Sequence, residues 1–205
     1  MKKNITLVIG DGGIYRTGKS YHILKTLLND LKQGKSSLIC DMNDEYRICK
    51  NKELPAINRV HKTTDISLYD LDKLDYSTPK IHRILPIRLS LSEWAKTVNQ
   101  ALSVYKGNNI VLDDINIYTN VAKLPKELSN LPESVENIFM VYKNIERIFN
   151  FPLFDRVNKI RLHRLLHGVS YCKETDKINE YKELIINKEQ QLRNSGEEYI
   201  EFNLK

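Results

Sequence analysis

The octet Gly13-Ile14-Tyr15-Arg16-Thr17-Gly18-Lys19-Ser20 constrains the fold of this chain more than any other stretch. It has the G-x-x-x-x-G-K-S spacing of a Walker A loop. A loop of that length wraps backbone N–H groups around a phosphate, while the helix that follows points its positive end at the same anion. Both flanks supply the required context. Ile5 to Ile9 is a short apolar run closing on Gly10, and beyond the octet Ile23, Leu24, Leu27, Leu28 and Leu31 recur at amphipathic-helix spacing, with Gly34 placed to stop the helix. Ser37 to Cys40 resumes an apolar run and ends in Asp41. The segment therefore predicts a strand-helix-strand unit and a parallel α/β architecture. Gly13, Ile14, Tyr15, Arg16, Thr17, Gly18, Lys19, Ser20 and Tyr21 are the predicted nucleotide-binding set, with Lys19 reaching the β/γ-phosphates and Ser20 binding Mg2+. Tyr15 and Arg16 stand where smaller residues are usual, placed to cover the nucleotide or to touch an adjacent subunit.

Hydrolysis needs a second, acidic site, and an apolar strand ending in carboxylates is its signature. Ile110-Val111-Leu112-Asp113-Asp114 supplies one. Asp113 is assigned to Mg2+, directly or through water, and Asp114 to the general base that polarises the attacking water. A glutamate is usual at the second position, and Asp114 is one methylene shorter.

The remaining elements alternate in period. Ile81 to Leu89 reads as a strand, and Ser90 with Glu93 has capping-box spacing ahead of a helix with the stripe Trp94, Val98, Leu102 and Tyr105, stopped by Gly107. Ile138 to Tyr142 and Lys159 to Leu166 read as strands, the latter with Ile160, Leu162 and Arg164 on one side. Thr175 to Asn194 reads as a helix with Ile178, Tyr181 and Ile185 on its apolar stripe, closed by Gly196, and Tyr199 to Leu204 as a terminal strand. Asn43 to Lys80 is polar and weakly periodic, and predicts mixed helix and loop.

At 205 residues and 41% hydrophobic content the chain suits a single domain over residues 1–205, with a core at 5–167 and a C-terminal helix and strand at 175–204. Its three cysteines form no C-x-x-C pair, which argues against a disulfide scaffold or a structural zinc site and fits a reducing cytoplasm. No apolar run approaches the roughly 18 residues of a membrane span, and none reads as a signal peptide. The net charge of +6 is compatible with a polyanionic partner. Arg156, Lys159, Arg161, His163, Arg164 and His167 form a basic cluster that reads either as a phosphate-contacting surface or as a strand edge protected by charge.

The Walker A octet, the segment Leu38-Ile39-Cys40-Asp41-Met42-Asn43-Asp44-Glu45-Tyr46 and the segment Asp113-Asp114-Ile115-Asn116-Ile117-Tyr118 together resemble the FtsK/HerA class of P-loop ATPases. That class includes DNA-pumping motors, viral genome-packaging ATPases and zonula occludens toxin-like proteins. The strand at Ile138 to Tyr142 and the later run Asn158 to Arg164 resemble the fourth and fifth core strands of the class. The resemblance implies a RecA-like P-loop NTPase fold, with a mainly parallel sheet sandwiched by helices. It also implies ATP and Mg2+ as cofactors, a homo-oligomeric ring, double-stranded DNA as partner and recruitment by a portal or docking protein. Lys143 or Asn144 occupies the sensor position, where the class often has Gln. No arginine stands between Asp114 and Ile138, so Arg147, Arg156 and Arg164 are the candidates for a finger completing a neighbour's site. The resulting catalytic set is Lys19, Asp114, Lys143 and Arg147. Two other functions fit the same loop. One is a P-loop kinase of a nucleotide or small metabolite, with Arg156, Arg161 and Arg164 imitating an arginine-rich lid; the other is a nucleotide-dependent assembly protein.

Overall fold

Successive strand residues are apolar on both faces, which requires a sheet covered from two sides. The computed structural model describes residues 3–10, 18–43, 45–46, 64–65, 70, 73–114, 131–142, 156–165 and 179–204. In chain order the elements are β1 (Asn4–Ile9), α1 (Lys19–Lys32), β2 (Ser37–Cys40), β3 (Thr64–Asp65), β4 (Ile81–Ile84), α2 (Leu91–Val104), β5 (Asn109–Leu112), β6 (Asn137–Tyr142), β7 (Lys159–His163), α3 (Asn179–Ser195) and β8 (Tyr199–Asn203). They form one sheet in the order β3-β4-β2-β5-β6-β1-β7-β8. Every pairing is parallel except that of β8, which lies antiparallel on β7.

The strand alternation divides the core in two. Leu7, Ile9, Ile110, Leu112 and Met140 face Trp94, Val98 and Leu102 of α2 and Ile185 of α3. Val8, Ile39, Val111 and Val141 face Ile23, Leu24, Leu27 and Leu28 of α1. Each such Leu or Ile, once buried, contributes about 1.5–3 kcal/mol relative to exposure.

Local signals set the ends of the helices. Gly34, at φ +83°, ends α1 in a Schellman motif: its N–H bonds Leu31 O at 3.1 Å and the Lys35 N–H bonds Asp30 O at 3.0 Å. At the start of α2 the predicted capping box is present, with Ser90 Oγ accepting from the Glu93 N–H and the Glu93 carboxylate from the Ser90 N–H. Gly196, at φ +73°, follows α3. Gly107 has a different role from the helix stop expected of it. The chain already leaves the helix at Tyr105, and a Cβ on Gly107 would stand 2.1 Å from Tyr105 Oη.

The strand predicted over Ile81 to Leu89 ends at Ile84, because Pro86 has no N–H to donate to a ladder and residues 87–88 turn, with Arg88 at φ +58°. The strand predicted over Lys159 to Leu166 ends at His163, leaving Arg164 exposed beyond it. Ile178 and the first residues of the helix predicted from Thr175 lie outside the described residues.

One polar row fixes the sheet's register at the end where the parallel strands begin. Asn4, Asn137, Asn109 and Ser37 stand opposite one another on β1, β6, β5 and β2. Asn4 Nδ2 donates to Asn137 Oδ1 (3.4 Å), Asn137 Nδ2 to Asn109 Oδ1 (2.8 Å), and Asn109 Nδ2 to Ser37 Oγ (3.1 Å) and Asp30 Oδ2 (3.0 Å). A one-residue slip would break the row and turn every apolar side chain to the wrong face.

Candidate active site

Because β1, β2, β5 and β6 are parallel, their carboxyl ends share one rim, the usual ligand edge of an open α/β sheet. Gly10, Asp41 and Asp113 follow β1, β2 and β5 there. Backbone bonds continue the ladder past the strands, from Asp113 N to Cys40 O (3.1 Å) and from Asp41 N to Ile84 O (3.0 Å). β6 separates the loop-bearing β1 from the acidic β5, so Tyr142 at its end stands between the two halves.

The phosphate half is built on α1. Gly18 caps the helix at φ +79°, a left-handed conformation, and a Cβ there would also meet His22 Cδ2 at 3.1 Å. The backbone conformation favours glycine, and the close approach of His22 leaves little room for a side chain. Among the described residues no side chain caps this helix, which leaves the N–H groups of its first turn directed at the rim. Lys19 is only 6% exposed, and its Nζ donates to Gly10 O at 2.9 Å, holding the ammonium across the mouth of the loop. Tyr21 packs edge-on against His22. Gly13, Ile14, Tyr15, Arg16 and Thr17, and likewise Lys143 and Arg147, lie outside the described residues.

The acidic half gathers more groups than β5 alone provides. Asp113 is fully buried, and Asp114 turns the chain at φ +50°, a region Asp tolerates better than most residues. The side-chain amide of Asn43 spans both, donating to Asp113 Oδ2 (3.2 Å) and Asp114 Oδ2 (3.4 Å). From the same turn, Glu45 Oε2 accepts the Ser20 hydroxyl at 2.7 Å. The turn is anchored by Asp41, whose carboxylate accepts from Glu45 N (2.9 Å), Tyr46 N (3.0 Å) and Arg83 Nη1 (3.0 Å). Burial pushes the Asp41 carboxyl above its usual range, while the two backbone N–H groups and Arg83 pull it back. Tyr46 is wholly buried, with its phenol pushed well above the ordinary value by burial and by the nearby Asp113 charge.

The structure thus brings Gly18, Lys19, Ser20, Asp113 and Asp114 to one rim. Sequence reasoning missed Asn43 and Arg83 and gave Glu45 no role; the spacing Asp41-x-x-x-Glu45-Tyr46 was the available signal. The donor set fits the group the loop implies: Ser20, Glu45 and Asp113 offer hard oxygens suited to Mg2+, and Lys19 with an uncapped helix end suits phosphate.

The basic cluster does not form a single positive face. Arg161 is buried; its Nε bonds Glu201 Oε2 at 2.9 Å, and its guanidinium lies over the Tyr199 ring at 5.1 Å. Lys159 pairs with the same glutamate, His163 is buried, and Arg156 and Arg164 are exposed. His167 lies outside the described residues.

His22, in the first turn of α1, is expected to make the fold acid-sensitive. It is 6% exposed, its Nε2 lies 2.8 Å from Glu198 Oε2, and His163 and Tyr199 pack against its ring. Burial holds its pKa below the ordinary value, with Lys25 and Arg161 acting the same way and Glu198 opposing. A histidine depressed on folding contributes stability that is present above its unfolded value of about 6.5 and lost as pH falls through the folded one. The melting temperature is therefore expected to drop on acidification from about pH 7 to about pH 5.5, and His22→Gln to flatten that slope. Melts of both proteins across the window, with parallel slopes, would refute this.

No family model and no curated protein matches the chain. Solved structures do. The genome packaging NTPase B204 of Sulfolobus turreted icosahedral virus 2 in complex with AMP aligns over 100% of this chain and 94% of its own, with TM-score 0.57 and 11% identity. Its sulfate complex gives 100% and 93%, TM-score 0.57 and 12% identity, and its AMPPCP complex 100% and 94%, TM-score 0.56 and 12% identity. The shared property is the fold, a P-loop NTPase fold with a mainly parallel sheet and helices on both faces, and the resemblance read from the sequence holds at that level. Among the described residues no helix is long and apolar enough to cross a membrane.

Proposed function

We propose that the chain is a Mg2+-dependent ATPase motor acting on double-stranded DNA, of the genome-packaging kind. The observation that carries the ATPase part is the rim itself, where a buried lysine and an uncapped helix end face two strand-terminal aspartates across one intervening strand. Lys19 neutralises charge on the β/γ-phosphates, and Ser20 and Asp113 hold Mg2+, which supplies further charge neutralisation on the phosphates. Asp114 accepts a proton from water as the water oxygen bonds the γ-phosphorus; the bond from that phosphorus to the bridging oxygen breaks, and ADP leaves with the electron pair. Lys143 reads the γ-phosphate, and Arg147, Arg156 or Arg164 completes a neighbour's site in a homo-oligomeric ring. The DNA reading is supported by the fold shared with a packaging NTPase and by the net charge of +6. Recruitment to a portal or docking protein, in the cytoplasm of the host cell, belongs to the same reading.

The kinase alternative is weakened by Arg161, one of the three arginines available for a lid, because it is committed to Glu201. The test is ATP turnover by the purified chain with and without double-stranded DNA. Turnover that requires Mg2+ and rises with DNA is expected. Turnover indifferent to DNA but raised by a small phosphate acceptor would move the assignment to a kinase, and binding without turnover to a nucleotide-dependent assembly protein.

A further inference from the structure

We propose that Glu45 completes the metal-facing pole of the nucleotide site from β2, and that the buried Asp41–Arg83 pair is the device that positions it; the inference rests on the P-loop reading above. Three observations carry it. First, the Ser20 hydroxyl, the group this loop type offers to a cation, already donates to Glu45 Oε2 at 2.7 Å. Second, the turn that presents Glu45 is tightly held. The N–H groups of Glu45 and Tyr46 each take one oxygen of Asp41, and Asp41 is fixed in turn by Arg83, the two being 0% and 2% exposed. A buried ion pair is a poor device for stability alone, and its best-attested use is to impose one arrangement. Third, the same turn reaches the other half of the site through Asn43, which bridges Asp113 and Asp114. One short segment therefore touches the phosphate-loop hydroxyl and both acids of β5.

The chemistry follows from charge. Glu45 is an exposed carboxylate beside the hydroxyl at the start of α1, where a triphosphate would bring further negative charge. A divalent cation of the Mg2+ type, hard and oxygen-seeking, would relieve that conflict, with Ser20, Glu45 and Asp113 as the residues that would hold it. Glu45 accordingly opposes nucleotide without cation and favours nucleotide with it, making binding cation-dependent. Asp41 and Arg83 are positioning residues, acting through Glu45.

The test is equilibrium binding of a fluorescent ATP analogue with and without Mg2+, on wild type and Glu45→Gln. Glutamine keeps an acceptor for the Ser20 hydroxyl and removes the charge. Supporting partners of metal ligands typically contribute about ten- to a hundredfold to metal affinity, so the ratio of affinities with and without Mg2+ is expected to fall at least about tenfold in Glu45→Gln. Because Glu45 is exposed, the melting temperature should stay unchanged. Asp41→Asn should shift the same ratio in the same direction. A wild-type ratio preserved in Glu45→Gln would overturn this inference and leave the P-loop reading standing. Failure of the wild type to bind nucleotide at all would overturn both.

Discussion

Lys19→Ala is expected to abolish ATP turnover while leaving the fold intact. Lys19 opens α1, is 6% exposed, and has its ammonium placed by Gly10 O at 2.9 Å, so the charge is fixed before any substrate arrives. Preorganised charge costs no reorganisation when negative charge develops on the transferring phosphoryl group, and removing one such donor typically costs about 10²–10³ in kcat, or about 2.7–4 kcal/mol. Arginine should not rescue, because a planar fork cannot replace the compact ammonium that Lys19 sets against Gly10 O. Steady-state phosphate release is the measurement, paired with a thermal melt. Turnover within about threefold of wild type would remove the β/γ-phosphates from this end of the site.

Arg83→Met is expected to cause the largest loss of stability of any single change at the rim. It strands Asp41, which is 0% exposed, with two backbone N–H partners and, among the described residues, no cation bonded to it. Breaking a buried pair from one side costs about 3–5 kcal/mol, against a total for a native domain of about 5–15 kcal/mol. The pH dependence identifies the cause. Burial already raises the Asp41 carboxyl in the folded chain, and Arg83 is one of the groups opposing that shift. A carboxyl whose folded value lies above its unfolded one, about 3.9, favours folding below the unfolded value and loses that contribution as pH rises through the folded one. Without Arg83 the folded value moves further up and the window widens toward neutrality. Urea unfolding should therefore show a larger deficit of Arg83→Met against wild type at about pH 7 than at about pH 5. A deficit independent of pH would mean that lost packing of the long side chain, rather than the stranded charge, is responsible.

What could be read from the sequence was what is local in it. The loop from Gly13 to Ser20, the box of Ser90 with Glu93, and Gly34 behind α1 are contiguous patterns with one physical meaning each. Asp113 and Asp114 stood out because a buried strand ended in charge. What escaped was made by distant partners. Arg83 interrupts an apolar run and reads as a polar break until Asp41, 42 residues away, is placed beside it. Arg161 and Lys159 look like surface charge until β8 sets Glu201 opposite Arg161 in antiparallel register. β3 gives no sequence signal because two residues carry no periodicity, and β4 reads as longer than it is because apolar residues continue through Pro86 into a turn. Glu45 had a recognisable neighbourhood but no chemistry, since the sequence does not show that Ser20 lies against it.

The asparagine row at the base of the sheet has a consequence for the height of the rim. Measured from that row, β1 and β6 each run six residues, whereas β2 and β5 run four. At about 3.3 Å per residue, two strands overtop their neighbours by about 7 Å. The rim is therefore a staircase, with Asp41 and Asp113 standing on the lower tread and Gly10 opening the loop from the upper one. The difference is about the size of a phosphate group with its cation, and it comes from counting residues rather than from any loop. Two residues added to β5 would lift Asp113 level with Gly10 and fill the step.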